Sequence, residues 1–173
     1  RGSGSFTWVS TAVRSERLAD AEKIDNGTAV FWNFSLGGGN SIYSPTEREF
    51  ELSANKGVVI VSAAGNTGSY MNYPGLSNYG FGIGSLDKTL KPSSFSSRGP
   101  AMDFAKPGRS IMSTYKDNGF ASLSGTSMAT PFFTAACVIA YSKWGPEYFS
   151  NFQHYMNYLA AIATKIEVGQ KDD

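Results

Sequence analysis

Two short segments hold residues whose types and placing suit acyl-transfer chemistry. The first is Leu123-Ser124-Gly125-Thr126-Ser127-Met128-Ala129-Thr130-Pro131. Small residues there run straight into an apolar stretch of helical character. A serine at such a junction presents its hydroxyl beside the N–H groups that a first helical turn leaves unpaired. The macrodipole favours negative charge at the same place. A nucleophile whose attack creates an oxyanion belongs there. A plain N-cap also fits, since Ser and Thr begin many helices for structural reasons. The second segment, Ala63-Ala64-Gly65-Asn66-Thr67-Gly68, closes an apolar run. Ligand sites of open parallel sheets lie outside the carboxyl ends of their strands. Asn66 could donate its amide N–H to an oxyanion there, or it could be a turn residue tolerating unusual backbone angles. Local physics leaves both pairs of alternatives open.

Other reactive side chains are few. The single cysteine, Cys137, sits in Ala135-Ala136-Cys137-Val138-Ile139-Ala140 and reads as a buried, inert thiol without an internal disulfide partner. The single histidine, His154, has Phe152, Tyr155 and Leu159 around it and reads as a partly buried structural residue. Asp25-Asn26-Gly27 falls where a helix should turn into a strand, so it reads as a turn.

Several elements must position these groups. Val9, Ala12, Val13, Leu18, Ala19, Ala21 and Ile24 have roughly helical spacing over residues 8–24. Thr28 to Phe34 is a short β-prone run that ends before Gly37-Gly38-Gly39. Ser44-Pro45-Thr46-Glu47 starts a second helix, with Glu47 and Glu49 near its positive end and Lys56-Gly57 at its stop. Gly57 to Gly65 is an uninterrupted apolar strand, of the kind covered on both faces of a parallel sheet. Strand, helix, strand in this order predicts a right-handed βαβ unit and an α/β fold. Residues 66–125, dense in Gly, Ser, Pro and Asn, predict loops and short strands. Ser127 to Ser142 reads as a buried helix stopped by Gly145-Pro146, and a last helix follows to about residue 166. The tail 167–173 should fray.

The whole chain has 173 residues, 41% hydrophobic, 14% aromatic and 17% charged, with a net charge of +1. That composition argues for one folded domain or a piece of one, and against disorder. Basic residues are not clustered, which argues against a nucleic-acid partner. No apolar run is long enough for a membrane span, and residues 1–5 carry no signal-peptide core.

Taken together, the motifs carry a family resemblance. Gly125-Thr126-Ser127-Met128-Ala129-Thr130-Pro131 resembles the nucleophile motif of the subtilisin-like serine proteases, the subtilases. Ala63-Ala64-Gly65-Asn66 resembles their oxyanion-hole strand. Tyr73-Pro74-Gly75, Ser94 to Pro100, Ala105 to Gly108, Asn33 to Gly38, and Gly2-Ser3-Gly4 with Phe6, Thr7 and Trp8 match in the family's order. The resemblance covers about residues 2–145. It implies a three-layer subtilisin-like α/β fold with a mostly parallel central sheet flanked by helices, incomplete on its N-terminal side. Residues 1–173 would be the C-terminal portion of such a catalytic domain.

The resemblance also implies roles. Ser127 would be the acylated nucleophile. The Asn66 side chain and the Ser127 backbone N–H would bind the oxyanion. In subtilisin itself, losing the side-chain donor costs about 2.7–4 kcal/mol. Gly2-Ser3-Gly4 and Ser35-Leu36-Gly37 would be the two edges that grip an extended peptide substrate. Ser35, Leu36, Ala63, Ala64 and Gly65 would line the P1 pocket, with Asn72 near its floor, implying a broad, mostly apolar preference. Met128 would be open to oxidation beside the site. No cofactor is required for the chemistry. A structural calcium has one candidate carboxylate, Asp103, with carbonyls near Gly75, Ser77 and Gly80. Ala101 occupies a neighbouring position, and Asp103 otherwise reads as a solvated turn residue. Export is the compartment implied by most members.

Departures from the pattern matter as well. The family's triad runs Asp, His, Ser in chain order, so its Asp and His motifs would precede residue 1. A serine hydroxyl is nearly inert without a base, and in subtilisin losing the triad costs about 2 × 10⁶ in kcat. The isolated chain is therefore expected to be an inefficient protease. Asp and His would come from an N-terminal portion or a second chain. The alternative is a pseudoprotease that binds extended peptides or a partner protein. Phe132-Phe133-Thr134-Ala135 stands where the family has His-Val-Ala-Gly, which implies altered helix packing.

Overall fold

The computed structural model of the chain describes residues 6–145, 157, 159–161, 163 and 164; for residues 6–10 and 22 it describes the backbone alone. The elements are helix α1 (Phe6–Asp25), strand β1 (Phe31–Phe34), helix α2 (Ser44–Asn55), strands β2 (Val59–Ala63), β3 (Phe81–Leu86), β4 (Phe104–Pro107), β5 (Ile111–Thr114) and β6 (Phe120–Leu123), and helix α3 (Thr126–Trp144). Strands β1, β2, β3 and β4 form one parallel sheet in that order, in register Phe31 with Val59, Val61 with Phe81, and Ile83 with Phe104. Strands β5 and β6 form a separate antiparallel hairpin.

Local chemistry explains the boundaries. Pro45 sits in the first turn of α2, where its missing N–H costs no hydrogen bond. Gly57, at φ +93°, takes the left-handed turn that lets the chain leave α2 and enter β2. Gly27, at φ +79°, does the same between α1 and β1, so Asp25-Asn26-Gly27 is a turn.

Alternation along β2 divides the core in two. Val59 and Val61 face α3, together with Phe31, Phe81, Ile83, Phe104, Ala129, Phe133, Cys137 and Leu159. Val58 and Ile60 face the other side, with Val13, Ile24, Trp32, Phe34, Phe50 and Ala54. Helices α1 and α2 thus cover one face and α3 the other, which is a three-layer α/β arrangement. Cys137 is fully buried in the α3 core.

Residues 66–125 contain the most buried strand of the sheet. All six residues of β3 are buried. Its glycines obscure it in the sequence, yet they are there for closeness: a Cβ on Gly82 would lie 2.5 Å from the Gly75 carbonyl oxygen. From the last helix, Asn157 and residues 159–161 are described and helical, and Leu159 is buried in the α3 core. His154, the tail 167–173, and Gly2, Ser3 and Gly4 lie outside the described residues.

Candidate active site

The carboxyl ends of β1 and β2 and the amino end of α3 meet at one place. Beyond β1 comes Ser35-Leu36-Gly37, beyond β2 comes Ala64-Gly65-Asn66, and α3 opens with Thr126-Ser127. A cleft of about 380 Å³ lies between them, lined by Leu36, Gly37, Ala63, Gly65, Asn66, Thr67, Asn72, Thr126 and Ser127.

Asn66 rather than a serine caps α3. Its Oδ1 accepts the Thr126 backbone N–H at 2.9 Å and the Thr126 hydroxyl at 3.1 Å. The residue in the N-cap position is Gly125, which makes no side-chain cap. Ser127 is therefore inside the first turn, with its own backbone N–H among the donors a helix start leaves unpaired. Anchoring Oδ1 turns the Asn66 amide nitrogen inward: it would be 3.4 Å from a Cβ placed on Gly125. The unusual backbone angle at this turn falls on Gly65, φ +106°, and Gly65 N–H donates to Thr126 Oγ1 at 3.1 Å. Thr126 thus ties both backbone and side chain of the Gly65-Asn66 turn. It lies within the motif around Ser127, which by itself assigned it no role.

Ser127 and Ser35 bond reciprocally across 92 positions. Ser127 Oγ donates to the Ser35 carbonyl at 3.2 Å, and Ser35 Oγ donates to the Ser127 carbonyl at 2.8 Å. Asn33 Nδ2 donates to Ser35 Oγ at 2.9 Å, and Thr134 Oγ1 donates to Asn33 Oδ1 at 3.1 Å. This chain of bonds fixes the end of β1 against α3.

The rest of the cleft is neutral and more polar than the sequence implied. Asn72 Nδ2 donates to the Gly39 carbonyl at 2.9 Å, and the Asn72 Oδ1 side packs so tightly on Gly65 that no Cβ could fit there. At Gly37 a Cβ would come 2.9 Å from the Tyr73 carbonyl oxygen, a backbone atom. Ala64 does not line the cleft. It is fully buried, its N–H donates to Ile83 and its carbonyl accepts from Asn72, so it braces the wall from behind. Ser35 stands over Ser127 at the rim and is likewise outside the lining set.

Asp103 is no solvated turn carboxylate. It accepts the Gly82 N–H at 2.8 Å at the start of β4, and burial pushes its pKa up to about 6. The described residues contain no cluster of three or more His, Cys, Asp or Glu that could hold a metal.

A profile of the subtilase family, peptidase S8, matches residues 1–157. Thermitase of Thermoactinomyces vulgaris is 42% identical over 132 residues, 75% of this chain and 44% of thermitase. The thermostable alkaline protease of Halalkalibacterium halodurans is 34% identical over 151 residues, 87% of this chain and 39% of that protein. Among solved structures, sphericase superposes with a TM-score of 0.81 at 25% identity, covering 94% of this chain and 56% of its own. A cold-adapted subtilisin-like serine proteinase gives 0.77 at 27% identity, with the same coverage of 94% and 56%. The chain therefore spans less than half the length of thermitase and of the alkaline protease, and a little over half of each of the two solved chains. The fold is subtilisin-like, and the profile match and the shared sequence together show that this chain belongs to the subtilase family.

Proposed function

We propose that this chain supplies the nucleophile and the oxyanion site of a serine endopeptidase. Ser127 Oγ attacks the scissile carbonyl of an extended peptide. A C–O bond forms, the carbonyl π pair moves onto oxygen, and the hydroxyl proton passes to an imidazole. The oxyanion is held by the Asn66 amide and the Ser127 N–H. The imidazolium gives its proton to the scissile nitrogen, the C–N bond breaks to release the amine, and water hydrolyses the acyl-enzyme to free the acid and restore the Ser127 hydroxyl. The observation that carries this reading is the tertiary cap: because Thr126 occupies Asn66 Oδ1, the amide donors are left for the cleft beside Ser127.

The substrate main chain lies along Ser35-Leu36-Gly37, with Gly2-Ser3-Gly4 as the opposite edge. Its P1 side chain enters the cleft between Ala63, Gly65 and Asn72. That lining carries no ionisable group, so selection there rests on size and polarity. The imidazole and its carboxylate partner come from residues outside this chain, and export suits such an enzyme. In the second reading the chain binds extended peptides without cutting them. The Ser127 hydroxyl donating to a carbonyl, rather than to a base, is the observation in its favour.

Fluorophosphonate labelling of the native, complete protein separates the two. The first reading expects a covalent adduct on Ser127, abolished in Ser127→Ala. An unlabelled Ser127 in properly assembled protein gives the site to the binding role.

A further inference from the structure

Pro131 stands inside α3, at the position whose N–H would otherwise reach the Ser127 carbonyl. Proline has no N–H, so the nucleophile helix lacks a rung at the very residue that carries the hydroxyl. Ser35 Oγ supplies the donor from the end of β1, at 2.8 Å. A serine has one proton to give, so whatever directs that proton bears on Ser127.

Asn33 and Thr134 direct it. Asn33 pairs with Val61 in the sheet and therefore faces α3, as Val61 does. Its Nδ2 donates to Ser35 Oγ at 2.9 Å, and its Oδ1 accepts the Thr134 hydroxyl at 3.1 Å. An amide carries its donors at one end and its acceptor at the other. With Thr134 on Oδ1, Nδ2 faces Ser35, and Ser35 Oγ, already an acceptor, passes its own proton to Ser127. The chain of bonds leaves α3 at Thr134, crosses the end of β1 and returns to α3 about two helical turns nearer the cleft. The Thr134 hydroxyl also lies 3.1 Å from the Thr130 carbonyl, the back-bond open to any helical threonine, and the two acceptors share one proton. Thr134 stands where the family has the alanine of His-Val-Ala-Gly. Alanine has no hydroxyl, so the link to Asn33 is this chain's own.

We propose that Thr134 is a positioning residue for Ser127, acting through Asn33 and Ser35. Ser127 carries both the attacking hydroxyl and the N–H assigned to the oxyanion, so fixing its carbonyl fixes both. Without the Thr134 hydroxyl the Asn33 amide is free to turn over. Ser35 Oγ then donates to Asn33 Oδ1, and the Ser127 carbonyl loses its donor. The kinetic consequence rests on the endopeptidase reading; the direction of the bonds does not.

The test uses the native, complete protein with Thr134→Ala, Thr134→Ser, Ser35→Ala and the double variant Thr134→Ala with Ser35→Ala. Thr134 is only partly buried and alanine is the family's residue there, so Thr134→Ala should keep the parent's melting transition. It should slow fluorophosphonate labelling of Ser127 and lower kcat on a peptide substrate, each by about five-fold, with KM unchanged. Thr134→Ser keeps the hydroxyl and should restore both rates. The double variant should be no slower than Ser35→Ala alone, because the two changes break one chain. Labelling of Thr134→Ala at the parent's rate, a loss confined to KM, no rescue by Thr134→Ser, or losses that multiply in the double variant would overturn the proposal. A parent that takes no label at all defeats the endopeptidase reading instead. Crystal structures of parent and Thr134→Ala then decide the relay: Ser35 Oγ should leave the Ser127 carbonyl in the variant, and its retention there would overturn the proposal.

Discussion

Asn66 and Thr126 divide one task between them, and that division sets how each variant should fail. In the complete, active protein Asn66→Ala should lower kcat by about 10²–10³, the loss measured for the corresponding donor of subtilisin, with little change in KM. Thr126→Val keeps the N–H bond to Asn66 but removes both bonds of the hydroxyl, the one it donates to Asn66 Oδ1 and the one it accepts from the Gly65 N–H, so kcat should fall by about ten-fold. Steady-state kinetics on a peptide substrate checks both, and a KM-only effect from either would contradict the roles proposed. Asp103 makes a pH prediction. Its folded pKa of about 6 lies above the usual 3.8, so the folded state holds the proton more tightly than the unfolded chain. That contribution is complete below about pH 4 and is lost as pH rises through 6, by up to about 3 kcal/mol. Asp103→Asn should therefore gain stability relative to the parent between pH 4 and pH 7, as read by denaturant melts at each pH.

At the level of elements, α2 does more than its sequence implied. Glu47 reads as a carboxylate placed for the helix dipole. In the fold it is buried and accepts the Tyr73 hydroxyl at 3.1 Å, the Asn78 N–H at 2.9 Å and the Asn78 amide at 3.2 Å. It fastens the 73–78 loop, next to Asn72 of the cleft, to the helix behind it. Burial, with the Glu47 charge beside it, pushes the Tyr73 phenol pKa far up, so Tyr73 stays a donor. Glu47→Ala strands the buried Tyr73 hydroxyl and removes the acceptor of the two Asn78 donors, and should cost about 2 kcal/mol in a chemical melt. Helix α1 shows the converse: Leu18, placed on its apolar face by spacing, is 59% exposed, while Asp20 is buried against the Trp32 indole. A polar anchor there outweighs helical periodicity.

For the molecule as a whole, the edge that β1 forms among the described residues and the exposed Phe132, Val138 and Ile139 of α3 set the expected behaviour in solution. The isolated chain should self-associate, because an unguarded parallel edge and exposed Phe120 and Ile139 offer both hydrogen bonds and apolar area to another copy. Light scattering across a concentration series reads this directly. A monodisperse monomer with one cooperative melt would contradict it. No described helix is long and apolar enough to cross a membrane.

Much of the fold was legible because its signals are local. The boundaries of α2, β2 and α3 follow from a proline, two glycine turns and an unbroken apolar run, each acting within a few residues. The subtilase family was legible because its motifs keep their order. What residues 66–125 hide is β3, since a strand of alternating glycines declares itself only through the backbones packed on it. Likewise, that Asn66 caps α3, that Ala64 sits behind the cleft wall, and that Asp103 is protonated more readily than an exposed carboxyl were decided by the tertiary structure. Each depends on groups that the chain brings together from far apart, and no local pattern records hydrogen bonds, exclusion of water or burial across such distances.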